Sequence, residues 1–129
     1  MNFVVDTHAL IWHLENARRL GVNARKALES AESTLIVSTM SLAEITYLYR
    51  KDRVTIDVQE VLQKIQRDPR CILHPIDELV ILRMPDDLEI HDGIIVATAL
   101  ISLEIWGEET ALITKDKHII RSGKIETVW

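Results

Sequence analysis

The stretch from Asn2 to Leu14 constrains this chain most. The apolar run Phe3, Val4, Val5 stops at Asp6, and a helical pattern begins at about His8. An uninterrupted apolar run with β-branched residues is the pattern of a strand covered on both faces. Leu10, Ile11 and Leu14 instead carry the three- and four-residue spacing of an amphipathic helix. A short buried strand therefore hands a carboxylate to the turn that opens a helix. In an open parallel sheet the ligand crevice lies at the carboxyl ends of the strands, so an acid there faces whatever the crevice holds. The ordinary alternative is that Asp6 or Thr7 caps the helix, accepting from its free amides.

The same alternation continues. Gly21 breaks the first helix, and Ala24, Ala27, Leu28 and Ala31 predict a second. Leu35 to Val37 read as a strand. A third helix opens around Ser41 with Leu42, Ile45, Leu48 and Tyr49 as its buried stripe, and Asp52 with Arg53 marks a turn. Asp57 caps a fourth helix through Val58, Val61, Leu62 and Ile65. Cys71 to Leu73 form a weaker strand, and a short helix over Leu79 to Met84 stops at Pro85. From Asp92 the residues Ile94, Ile95, Ala97, Thr98, Ala99 and Ile101 are apolar or small nearly all round, the signature of a helix buried inside a domain. Ala111 to Ile113 and Ile125 to Val128 complete the strands. Strands alternating with helices predict an α/β fold with a mainly parallel sheet.

A chain of 129 residues with 47% hydrophobic content suits one domain, residues 1–129, with a two-sided core. The best apolar run, Gly93 to Leu103, is shorter than the roughly 20 residues that span a bilayer. With no basic leader and a single cysteine, Cys71, the expectation is a protein of the reducing cytoplasm, neither exported nor inserted. The net charge of −5 argues against general affinity for polyanions, which is driven by basic side chains. Small basic groups such as Arg18 with Arg19, and Lys115 with Lys117, matter only where they border a site.

Asp6 has company. Asp116 follows the strand Ala111 to Ile113, Glu44 lies in the first turns after Leu35 to Val37, and Asp92 opens the buried helix. Each has a structural role available: Asp92 and Asp116 as helix or turn caps, and Glu44 in the capping box Ser41-Leu-Ala-Glu44. Delivered to one edge, though, four carboxylates cannot all stay ionised unaided. Two unit charges 4 Å apart repel by about 4 kcal/mol at the effective dielectric of a protein surface. Either some are protonated or a cation sits among them, and an all-oxygen donor set suits Mg²⁺ or Mn²⁺ and disfavours Zn²⁺. The five histidines match no zinc spacing. His8 and His91 stand near the expected cluster.

Taken together these segments resemble the PIN-domain family, and within it the VapC-type ribonuclease toxins of toxin–antitoxin pairs. Val-Asp-Thr-His-Ala-Leu-Ile-Trp at 5 to 12 is similar to the first family motif, and Ser41-Leu-Ala-Glu44 to the second. Asp92-Gly-Ile-Ile-Val-Ala-Thr-Ala99 is similar to the third, and Ile113-Thr-Lys-Asp116 to the fourth. The resemblance covers almost the whole chain. It implies a sheet of order 3-2-1-4-5 with helices on both faces, and Mg²⁺- or Mn²⁺-dependent hydrolysis of RNA phosphodiester bonds. Asp6, Glu44, Asp92 and Asp116 would be the catalytic and metal-binding acids, and Thr114 a supporting hydroxyl. It also implies a cognate antitoxin protein and a homodimer. Two departures stand out. Relatives often have a glycine turn where this chain has Asp52, and a proline-phenylalanine pair where it has Ile90 and His91.

Other readings of the acids fare less well. A haloacid-dehalogenase-like phosphatase needs a second aspartate two residues after the first, where this chain has His8, and a receiver domain needs a different order of acid and lysine. The rival from another class is a PIN-like module that binds RNA or protein without cutting. Trp12, Trp106 and Trp129 are candidates for an interface or for the core.

Overall fold

The computed structural model describes residues 1–129. Five strands, β1 (Asn2–Val5), β2 (Thr34–Ser38), β3 (Cys71–His74), β4 (Thr110–Ile113) and β5 (Thr127–Val128), form one sheet. Its order is 3-2-1-4-5, as expected, and every neighbouring pair is parallel. Seven helices connect them: α1 (Thr7–Leu14), α2 (Val22–Glu29), α3 (Thr39–Arg50), α4 (Val58–Arg67), α5 (Glu78–Arg83), α6 (Ile90–Glu104) and α7 (Lys117–Ser122).

The uninterrupted apolar strands are explained by their two-sided burial. Along β1, Phe3 and Val5 point to one face and Val4 to the other. In β2, Leu35 and Val37 oppose Ile36, and in β4, Ala111 and Ile113 oppose Leu112. The first face is covered by α1, α2, α3 and α4 through residues such as Leu10, Leu28, Ile45 and Val61. The second is covered by α6 and α7, with α5 packed on α6 through Val80, Ile94 and Ile101. Each fully covered Val, Ile or Leu contributes about 1.5–3 kcal/mol, so the central strands anchor the fold. Residues Gly93 to Ser102 of α6 are all buried, in keeping with their non-amphipathic sequence.

Several local expectations are corrected. The second helix ends at Glu29, leaving Ala31 exposed in the turn beyond it, and Tyr49 is exposed instead of joining the buried stripe of α3. Helix α3 starts at Thr39, two residues before Ser41, because the Ser38 hydroxyl accepts from Met40 N at 3.0 Å and is the cap. Helix α6 likewise starts at Ile90, capped by Glu89. None of the three tryptophans is a core residue: Trp106 is exposed, and Trp12 and Trp129 are half-buried against one another. Asp52, in the turn after α3, has φ 56°, a left-handed conformation that aspartate is among the few non-glycine residues to adopt with modest strain.

No helix is long and apolar enough to cross a membrane.

Candidate active site

The order 3-2-1-4-5 places a reversal of winding at β1 and β4. The chain leaves β1 toward β2 on one side and leaves β4 toward β5 on the other. A crevice opens between the carboxyl ends of two such strands. Val5 pairs with Ile113 in register, so the residues that follow, Asp6 and Thr114, meet across that crevice. Asp6 N donates to Ile113 O at 3.0 Å, and Thr114 Oγ1 donates to Asp6 Oδ2 at 2.6 Å. The other oxygen, Oδ1, accepts from Thr7 N at 2.8 Å. Asp6 is thus both the cap of α1 and a carboxylate facing the crevice, and the two readings do not compete.

Glu44 projects from the second turn of α3. Its Oε1 lies 3.1 Å from Thr7 Oγ1, which also lies 2.9 Å from Ser41 Oγ. With Ser38 as cap, the capping-box reading of Ser41 and Glu44 fails; both side chains turn instead toward Thr7, the neighbour of Asp6. Asp92 sits in the first turn of α6 and leaves capping to Glu89, whose Oε2 accepts from His91 N at 3.1 Å. Asp116 caps α7, its Oδ1 accepting from His118 N at 2.8 Å and Ile119 N at 3.1 Å. Its own N–H donates to Thr114 Oγ1 at 3.0 Å, so Thr114 bridges Asp6 to the Asp116 turn.

The electrostatics follow from this crowding. Burial pushes the Asp6 carboxyl above its usual range, against the lowering effect of the Thr114 and Thr7 hydrogen bonds. Burial also raises Glu44, with Asp6 adding to the effect. Asp92 is pushed up to about 6, by burial first and then by Asp116, Asp6, Glu89 and Glu44. Asp6, Glu44 and Asp92 are thus raised in the direction of neutrality at the expense of charge, with the Asp116 carboxylate among the charges that raise Asp6 and Asp92.

A bound cation would reverse that balance. The donor set is carboxylate oxygen, the chemistry a hard divalent ion prefers, and Asp6 Oδ2 and Glu44 Oε1 are held by hydroxyls that fix their orientation. Yet no three acidic, histidine or cysteine side chains already stand in a coordinating group. The acids share an edge without closing into a shell. Cys71 is half-buried and burial pushes its thiol up to about 11, which makes it a poor nucleophile or ligand at neutral pH.

Beside the acids lies a cleft of about 370 Å³ lined by Asp6, His8, Trp12, Arg19, Lys115 and Trp129, together with Ala9, Thr114 and Asp116. His8, expected near the cluster, stands in this cleft, its ring 5.7 Å from that of Trp12. His91, also expected there, lines a neighbouring cleft with Glu44 and His8 and pairs with Glu89, Nδ1 to Oε1 at 3.2 Å. Sequence reasoning missed Thr7, Ser41, Trp12, Arg19 and Trp129 as members of this region. Thr7 could have been found as the residue after Asp6. Trp129 could not, since nothing local ties it to Trp12.

The PIN domain family model matches residues 3–125. No curated protein matches the chain. Among solved structures the chain is similar to one described as VapBC2 from Rickettsia felis bound to a DNA fragment from their promoter. The TM-score is 0.65 and the identity 14%, over 98% of this chain and 97% of that one, a likeness of fold. With the family model spanning nearly the whole chain and the sheet order in agreement, this chain belongs to the PIN domain family.

Proposed function

We propose that this PIN domain is a metal-dependent ribonuclease, the toxin of a VapBC-type pair, hydrolysing RNA phosphodiester bonds with Mg²⁺ or Mn²⁺. The observation that carries the reading is the gathering of Asp6, Glu44, Asp92 and Asp116 around the crevice between β1 and β4, with the Thr114 and Thr7 hydroxyls holding Asp6 and Glu44. Burial first, and neighbouring acids after it, raises Asp6, Glu44 and Asp92, and groups so perturbed in a cleft point to a functional site. Asp6, Asp92 and Asp116 would hold the ion directly or through water, with Glu44 either a ligand or the group that orients the attacking water. Thr114 keeps Asp6 aimed and favours its ionised form against the effect of burial. The bound cation supplies charge for the developing phosphate oxyanion and lowers the pKa of a water. The likeness to a toxin–antitoxin complex supports an antitoxin partner. A homodimer and a cytoplasmic setting complete the reading.

One observation favours the second reading, a PIN-like module that binds RNA or protein without cutting: the acids are not preassembled as a coordinating group. The two part on a single assay. Purified protein is incubated with single-stranded RNA in Mg²⁺, in Mn²⁺ and in EDTA, alongside Asp92→Asn. Cleavage that needs the ion and disappears in the variant establishes the nuclease. Binding without cleavage, indifferent to chelator, establishes the module.

A further inference from the structure

Two cations in the cleft beside the acids have no acidic partner. Neither Lys115 nor Arg19 forms an ion pair, although Asp6 and Asp116 line the same cleft. Aromatic faces hold them instead. Lys115 Nζ lies 4.7 Å from the ring centre of Trp12 and 5.9 Å from that of Trp129, while Arg19 Cζ lies 5.7 Å from Trp12. The two indoles meet edge to face, centres 5.8 Å apart at 69°. A π face orients an ammonium without neutralising it, unlike a carboxylate, so the charge stays available to an anion.

The indole of Trp129 is itself seated by a close approach. A Cβ on Gly21 would come within 2.6 Å of the backbone carbonyl carbon of Trp129 and 2.6 Å of its indole Cδ1. Only a residue without a side chain lets Trp129 close over the cleft there. Gly21 seats Trp129, and Trp129 and Trp12, from opposite ends of the chain, both face one lysine, which follows Thr114 and precedes Asp116 just past the end of β4.

We propose that Trp12 and Trp129 form a cradle that fixes Lys115 as the phosphate-binding, substrate-positioning group for single-stranded RNA at the acid cluster. The inference rests on the ribonuclease reading and deepens it. A chain of net charge −5 presenting clustered acids repels a polyanion. A fixed, unneutralised ammonium in the adjoining cleft supplies the compensating contact next to the scissile bond. Lys115 is positioning here, and Trp12 acts through it.

The test is equilibrium binding of a fluorescent single-stranded RNA to the full chain carrying Asp92→Asn, measured across a salt series, with each variant's melt recorded. Lys115→Gln is expected to reduce the slope of log affinity against log salt by about 0.7, the value for one phosphate contact on a single strand. Trp12→Leu, which leaves the charge in place but removes the face, should weaken binding about two- to fivefold, and Trp12→Phe should restore most of it. Gly21→Ala, which alters no residue lining the cleft, should reproduce the Trp12→Leu loss by displacing Trp129. In the otherwise unaltered enzyme, Lys115→Gln should raise KM with kcat within about twofold, the pattern of lost uniform binding. RNA binding with an unchanged salt slope in Lys115→Gln overturns the cradle and leaves the ribonuclease reading standing. A reduced slope in Lys115→Gln with Trp12→Leu indistinguishable from the parent overturns the role of the indoles. No binding of RNA by the parent protein overturns both readings.

Discussion

Thr114 Oγ1 lies 2.6 Å from Asp6 Oδ2, a bond between residues 108 positions apart that closes the crevice between two strand ends. It exists because Val5 and Ile113 are in register and both strands stop there. The hydroxyl favours the ionised form of a carboxylate that burial would otherwise neutralise.

Removing that hydroxyl while keeping the shape is therefore costly. Thr114→Val should destabilise the protein by about 1.5–3 kcal/mol at neutral pH, the range for a hydrogen bond to a charged group. Thr114→Ser should lose far less. Urea unfolding at pH 7 checks both, and the Val penalty should shrink in acid, where Asp6 takes up a proton.

The raised acids set the pH dependence of the metal-free protein. A folded pKa above the unfolded value means the folded state binds the proton more tightly, so the contribution is full below the unfolded pKa and is lost as pH rises through the folded one. For Asp92 that window runs from its ordinary 3.8 to about 6. Asp92→Asn should thus gain stability relative to the parent as pH climbs through the window, and the gap should level off above it. Millimolar Mg²⁺ should reverse the sign at pH 7, raising the parent's Tm by mass action and the variant's much less. Thermal melts with and without Mg²⁺ across pH 4 to 8 decide it; a parent indifferent to the ion would count against the site.

Glu44 has no capping duty, since Ser38 caps α3. A glutamine there can still accept from Thr7, yet lacks the charge a hard cation needs. Glu44→Gln should leave stability unchanged or slightly higher, because a raised carboxyl is removed, while RNA cleavage falls at least tenfold, or about 1.4 kcal/mol of barrier. Full cleavage would remove Glu44 from the site.

Asp52 offers a test free of catalysis. At φ 56° a glycine carries no Cβ penalty, so Asp52→Gly should be neutral or stabilising by up to about 1 kcal/mol. Asp52→Val should cost about 1–2 kcal/mol, because a β-branched residue tolerates that backbone poorly. Chemical denaturation midpoints separate the two.

Much of this was legible in the chain because it is written locally. An apolar run that ends on an acid and then changes period specifies strand, turn and helix within ten residues, as β1, Asp6 and α1 show. Repeating that pattern around Thr114 and Asp116 was enough to anticipate the parallel sheet and one shared edge. Helix starts were less legible. Ser38 and Glu89 won the caps of α3 and α6 because a residue still extended at the strand or loop end can turn its oxygen onto free amides. Ser41 and Asp92 were already inside the helix.

Only the tertiary structure decided what surrounds the acids. The Thr7 contact to Glu44 and the Thr114 bond to Asp6 depend on strand register and on the packing of α1 against α3, neither of which has a local sequence signature. Trp12, Arg19, Lys115 and Trp129 are scattered along the chain. They share a cleft because the sheet order sets β5 beside β4 and brings Trp129 back against Trp12 of α1 and onto Gly21, which has no side chain to block it.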